Sequence, residues 1–107
     1  MVIKRFEIYW VNLDPTVGRE IKKTRPAVVI SPNEVNDALG TILVAPVTSN
    51  RRNFPTRISF ELSGNENYIA LDQIRAVDKT RLSKKISVLN RQTAQTVCEK
   101  LQELFAL

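Results

Sequence analysis

The sequence predicts a mainly β protein: a small, strongly bent antiparallel barrel with one α-helix laid across it at the C-terminal end. Three observations point there. Apolar and β-branched residues come in short runs of strand length, and turn-prone Asn, Asp, Gly and Pro separate those runs. Only one stretch, after Asn90, repeats its apolar residues at helical spacing. A chain with many short strands and one terminal helix buries its core best by curling the sheet on itself.

Phe6 to Asn12 alternates and is rich in aromatic and β-branched residues, so it is the first strand, with Tyr9 and Trp10 expected in the core. It stops at Asn12-Leu13-Asp14-Pro15, a turn sequence, and a loop through Gly18 leads to Arg25-Pro26. Proline keeps the residue before it out of the helical region. Ala27 to Ser31 is then a buried strand between Pro26 and Pro32, and Asn33 to Gly40 has room for one helical turn. Thr41 to Thr48 returns to a β-type run, in which Pro46 signals an edge or a bulge. Thr56 to Leu62 sets Ile58, Phe60 and Leu62 against Arg57, Ser59 and Glu61, the alternation of a half-buried strand that brings Phe60 to the core. Ser63 to Asn67 is a turn, and Tyr68–Leu71, Ile74–Val77 and Ile86–Leu89 are further strands, with one helical turn over Lys79–Ser83. Asn90 caps the terminal helix, whose stripe is Ala94, Val97, Cys98, Leu101, Leu104 and Phe105.

The 107 residues suffice for one domain, residues 1–107, with one core. No apolar run reaches the roughly 18 residues of a membrane span, and the first residues lack the apolar stretch of a signal peptide. The expected protein is soluble and cytoplasmic. A single cysteine, Cys98, makes no internal disulfide, and a chain with no histidine has no credible zinc site. No cofactor is expected.

The net charge of +5 is concentrated in two places. Thr16 to Arg25 holds Arg19, Lys22, Lys23 and Arg25 against Glu20, and Ser49 to Arg57 holds Arg51, Arg52 and Arg57 with no acid. Each segment carries +3, and the rest is close to neutral with nine basic and ten acidic residues. Two cationic loops are the footprint of an anion or nucleic-acid site. Arg25 stands just before one apolar run and Thr48 just after another, so if those strands are neighbours the two residues share a rim. A guanidinium and a hydroxyl there would cradle a phosphate.

Glu20 and Arg25-Pro26-Ala27-Val28-Val29-Ile30-Ser31-Pro32, with Trp10-Val11-Asn12-Leu13-Asp14-Pro15-Thr16-Val17-Gly18 upstream and Leu71-Asp72-Gln73-Ile74-Arg75 downstream, resemble the MazF/PemK toxins of bacterial toxin–antitoxin systems. The likeness runs through nearly the whole chain. It implies an SH3-like barrel of the CcdB/MazF type, a homodimer, and a sequence-specific, metal-independent endoribonuclease. Such an enzyme cuts single-stranded RNA by 2′-hydroxyl attack and is inhibited by an antitoxin whose acidic C-terminal segment fills the RNA groove. The resemblance places the catalytic arginine on Arg25, the hydroxyl on Thr48 and the acidic loop residue on Glu20. The loop after Glu20 departs from the family's frequent Gln and Gly, reading Ile21-Lys22-Lys23-Thr24.

On that reading Arg25 stabilises the transition state, Thr48 donates to a non-bridging oxygen, and Glu20 or a water takes the 2′ proton. Arg19, Lys22, Lys23, Arg51, Arg52, Phe54, Arg57 and Gln73 are the expected RNA contacts. Phe54 has two readings, a platform for a stacked base or an anchor of its loop onto the barrel. Asp72, Gln73 and Arg75 are expected to form a polar network bracing Arg25. Two other classes share the same sequence features: a topoisomerase poison of the related CcdB type, and a single-strand binding module that does not cut.

Overall fold

The computed structural model describes all 107 residues. Seven strands and two helices follow one another as β1 (Glu7–Asn12), β2 (Thr24–Val29), α1 (Asn33–Ala38), β3 (Thr41–Thr48), β4 (Arg57–Leu62), β5 (Asn65–Ala70), β6 (Arg75–Asp78), β7 (Leu82–Val88) and α2 (Arg91–Phe105). One-turn 3-10 helices at Leu71–Gln73 and Lys79–Arg81 flank β6. Every strand pair is antiparallel, in the order β4-β5-β3-β2-β1-β7, and β6 shares an edge of β3 with β5. The result is a curled half-barrel with a helix packed on one face.

β3 is the pivot of the curl. Thr41 to Val44 pair with β6, whereas Val47 and Thr48 pair with β5. Pro46 falls in the gap between these two ladders and pairs on its other side with Ala27 of β2. Proline removes a donor, so it is tolerated where one edge of the strand changes partner. Of the two readings, an edge or a bulge, the edge is corrected: β3 is central, and its proline marks a bend.

Alternation explains why Ala27 to Ile30 is apolar without a break. Tyr9, Val11, Ala27, Val29, Ile42 and Val44 face one apolar cluster, and Ile8, Val28, Ala45, Val47, Ile58 and Ile69 face a second. Both faces of the central strands are therefore covered, as in sheets buried on two sides. The helix supplies part of that cover. Asn90 accepts a hydrogen bond from the Thr93 N–H at 2.8 Å, and Val97 is fully buried, with Ala94 and Leu101 against the second cluster.

Several expectations change at the ends of elements. β5 begins at Asn65 rather than Tyr68, because Ser63 and Gly64 take positive φ values of 53° and 82° and close a two-residue hairpin. β7 begins at Leu82 and carries the polar Ser83-Lys84-Lys85 along its exposed edge. Trp10, opposite Pro26, is 40% exposed, whereas Tyr9 is buried as expected and Phe60 is half-buried. Leu104 and Phe105 are exposed at the end of α2, beyond the part of the stripe that packs.

Candidate active site

The β2–β3 ladder ends with Ala27 opposite Pro46, and Arg25 and Thr48 each lie two residues beyond that last pair, at the same end of the ladder. Both side chains line one open cleft of ≈ 490 Å³, together with Arg19, Glu20, Ile21, Lys22, Asn50, Arg52, Phe54, Arg57, Asp72 and Gln73. Strand pairing thus joins two residues 23 positions apart in the chain.

Arg25 makes no ion pair; its Nε donates only to the Lys22 carbonyl at 3.2 Å. Its remaining guanidinium donors are available to an anion. Thr48 is 6% exposed, and its Oγ1 accepts from the Asn50 N–H at 3.1 Å. A hydroxyl that accepts in this way keeps its own proton to donate. The same bond caps the turn into the second basic loop, so the capping role and the site role coexist. Glu20 accepts from the Val17 N–H through Oε1, a contact that folds the first basic loop back on itself and leaves the second carboxylate oxygen unengaged.

The far wall is built around Asp72. Arg57 Nε and an Nη reach its two carboxylate oxygens at 2.8 and 3.1 Å, and Thr56 Oγ1 adds a third bond at 3.0 Å. The Arg57 hydrogen bonds hold the Asp72 carboxyl below the usual carboxylate range, against the opposing push of burial, so it is ionised at neutral pH. Arg57 also lies over the Phe54 ring at 5.5 Å from its centroid. Beside Asp72, Gln73 Oε1 accepts from the Ile21 N–H at 2.6 Å while its Nε2 donates to the Arg19 carbonyl at 3.3 Å.

Of the expected contact residues, Arg19, Lys22, Arg52, Phe54, Arg57 and Gln73 line the cleft; Lys23 and Arg51 do not. Lys23 takes a positive φ of 71°, and its carbonyl accepts from the Leu13 N–H at 3.0 Å. The network expected to brace Arg25 braces other groups: Asp72 holds Arg57, Gln73 holds the first loop, and Arg75 donates to the Leu13 carbonyl at 2.8 Å. Asn50 went unnoticed in the sequence, although a polar residue two positions after a strand-ending threonine is the signature of a side-chain-capped turn.

Residues 4–105 match the family model described as PemK-like, MazF-like toxin of type II toxin–antitoxin system. This chain belongs to that toxin family. Its sequence is 34% identical over 113 aligned residues to Endoribonuclease EndoA of Bacillus subtilis (strain 168), an alignment covering all of this chain and 97% of that protein. The fold superimposes on MazF from Deinococcus radiodurans with a TM-score of 0.87 at 26% identity, covering 100% and 99% of the two chains. A mycobacterial endoribonuclease solved in complex with its cognate antitoxin shares the fold at a TM-score of 0.83 and 20% identity, covering 98% and 96%. The PemK/MazF resemblance and the fold class read from the sequence are both borne out. No helix is long and apolar enough to cross a membrane.

Proposed function

We propose that this PemK/MazF-family toxin is an endoribonuclease that cuts single-stranded RNA in the cleft between its two basic loops. The observation that carries this reading is Arg25, free of any carboxylate, lining one cleft with the Thr48 hydroxyl. RNA self-cleavage needs a base for the 2′-hydroxyl, stabilisation of the phosphorane and a proton for the leaving 5′-oxygen. Arg25 holds the phosphate through its rigid donor fork, and Thr48 donates to a non-bridging oxygen. A guanidinium, which stays protonated across the physiological range, is a poor base, so the 2′ proton goes to Glu20 or to a water that Glu20 orders. The 2′-oxygen bonds to phosphorus as the bond to the 5′-oxygen breaks, and water protonates the leaving group. The products are a 2′,3′-cyclic phosphate and a 5′-hydroxyl.

The partners follow from the surface. Arg19, Lys22 and Arg52 make the cleft attractive to RNA phosphates and equally to an acidic segment of a cognate antitoxin, which would block the same groove. The toxin acts as a homodimer, for which the uncovered Trp10, Val88 and Phe105 leave apolar surface. On this reading the charge of the phosphorane falls to arginine rather than to a metal, which cleavage in EDTA tests.

The test is incubation of the pure protein with a long RNA in EDTA, with both ends of each fragment mapped. Discrete cuts ending in 2′,3′-cyclic phosphate are expected; tight binding with intact RNA would contradict the reading. Glu20→Gln tests the proton acceptor. If that variant kept the parent's rate and pH profile while Arg25→Lys shifted the profile, the base assignment would be wrong.

A further inference from the structure

Two consecutive side chains on one turn grip the two opposite walls of the cleft. The turn Leu71–Gln73 is anchored in the second apolar cluster by Leu71, which is 1% exposed, and its Leu71 N–H donates to the Thr56 carbonyl at 3.0 Å. Asp72 then reaches one way, to Thr56 and Arg57, and Arg57 in turn lies over Phe54. The Arg57 N–H also donates to the Phe54 carbonyl at 3.0 Å, so backbone and side chain both tie that ring to the anchored turn. Gln73 reaches the other way, and both of its bonds are to backbone, at Arg19 and Ile21. None of these residues touches Arg25 or Thr48 through a hydrogen bond.

We propose that the Leu71–Gln73 turn is a positioning element that sets the spacing between the two walls of the cleft. Asp72 acts through Arg57 on Phe54, and Gln73 acts through the Arg19–Ile21 backbone. The turn fixes where a base stacked on Phe54 sits relative to the phosphate on Arg25, and with it which linkage of a bound RNA is presented for cleavage. Asp72 and Gln73 are positioning residues, and Phe54 is the surface that touches a base. This inference rests on the proposed RNA cleavage.

The experiment is a double-mutant cycle on RNA cleavage with Asp72→Asn, Phe54→Ala and the double variant, reading KM, kcat and the cut-site pattern. Asp72→Asn is expected to raise KM about fivefold or more and to broaden the cut sites, with the larger share of the loss in KM. In the Phe54→Ala background the same substitution is expected to add less than twofold, because the group through which it acts is gone. Thermal unfolding of each variant separates positioning from loss of fold. Should Asp72→Asn fail to fold, Arg57→Lys replaces it in the cycle, since lysine keeps the charge and loses the two-pronged contact. An equal effect of Asp72→Asn with and without Phe54, or a loss in kcat alone, would overturn the proposal. A parent protein that leaves RNA intact would overturn the cleavage reading itself, a result distinct from either.

Discussion

Arg25 and Arg57 line the same cleft and are used in opposite ways. Arg57 is 8% exposed at its side chain, doubly bonded to Asp72 and laid over Phe54, so its charge is largely spent on holding the wall together. Arg25 meets only the Lys22 carbonyl. A count of basic residues weights the two equally, yet only the guanidinium without a carboxylate partner has its charge and donors free for a phosphate. On the proposed reading, Asp72 is the acid that takes Arg57 out of the chemistry and leaves Arg25 to it.

The largest effect that sharpens this contrast is expected from Arg25→Ala. Loss of a preorganised charge-stabilising donor lowers the cleavage rate on the order of 10²–10³-fold, and single-turnover kinetics would show it. Its stability, read by urea unfolding, is expected to change by less than about 0.5 kcal/mol, because a half-buried side chain with no ion pair leaves no charged partner unpaired. Arg57→Ala is expected to do the reverse: it leaves the exposed Asp72 with Thr56 alone and lowers stability by about 1 kcal/mol, with a smaller loss of cleavage that falls mainly on KM. If both alanine variants lost rate without losing stability, the contrast would break.

Thr48→Val comes next. It keeps the shape of the side chain but removes the hydroxyl that caps Asn50 and faces the cleft, and a loss of about tenfold or more in rate is expected for one hydrogen bond to a charged phosphate oxygen. Thr48→Ser should restore most of it. A serine variant as slow as the valine one would mean that the hydroxyl alone does not account for the loss.

The smallest effects are in the pH dependence of stability. Asp72 has its folded pKa depressed, first by the Arg57 hydrogen bonds, so its contribution is present above the ordinary carboxylate pKa and is lost as pH falls through the lower folded value. Asp72→Asn should flatten the acid limb of a plot of unfolding free energy against pH. Tyr9 behaves in the opposite sense. Burial, then its hydrogen bond to Glu7 at 2.9 Å, pushes the phenol up to about 12, so its contribution is complete below the usual tyrosine pKa near 10 and fades as pH climbs toward 12. Tyr9→Phe should therefore lose stability at neutral pH and show a shallower alkaline decline, read by circular dichroism across pH 9–12. A parallel alkaline limb in both proteins would remove Tyr9 from that account.

Much of the architecture was legible because periodicity is local. The alternation of Thr56–Leu62 and the helical stripe after Asn90 are written in neighbouring residues, and both elements formed where they were expected. The short polar extensions were not legible: Asn65-Glu66-Asn67 pairs into β5 because β4 lies beside it, which no local propensity signals. In the site, Arg25 and Thr48 could be brought together from the sequence because each borders an apolar run and the two runs are neighbouring strands. The bond from Asp72 to Arg57 could not, since it joins residues 15 positions apart whose meeting depends on the β4–β5 hairpin. Trp10 failed for a related reason. Its aromatic, strand-like context says that it lies in a sheet, but not how far the cover over that sheet extends.

The most direct test of the central claim, that Arg25 and Thr48 act on one phosphate, is the single-turnover cleavage rate of Arg25→Ala, Thr48→Val and the double variant on one defined RNA. The account predicts that the double variant is slower than Arg25→Ala by clearly less than the factor that Thr48→Val costs alone, because the two groups stabilise the same transition state. Rate losses that simply multiply, or an Arg25→Ala protein that cuts at the parent's rate, would contradict it.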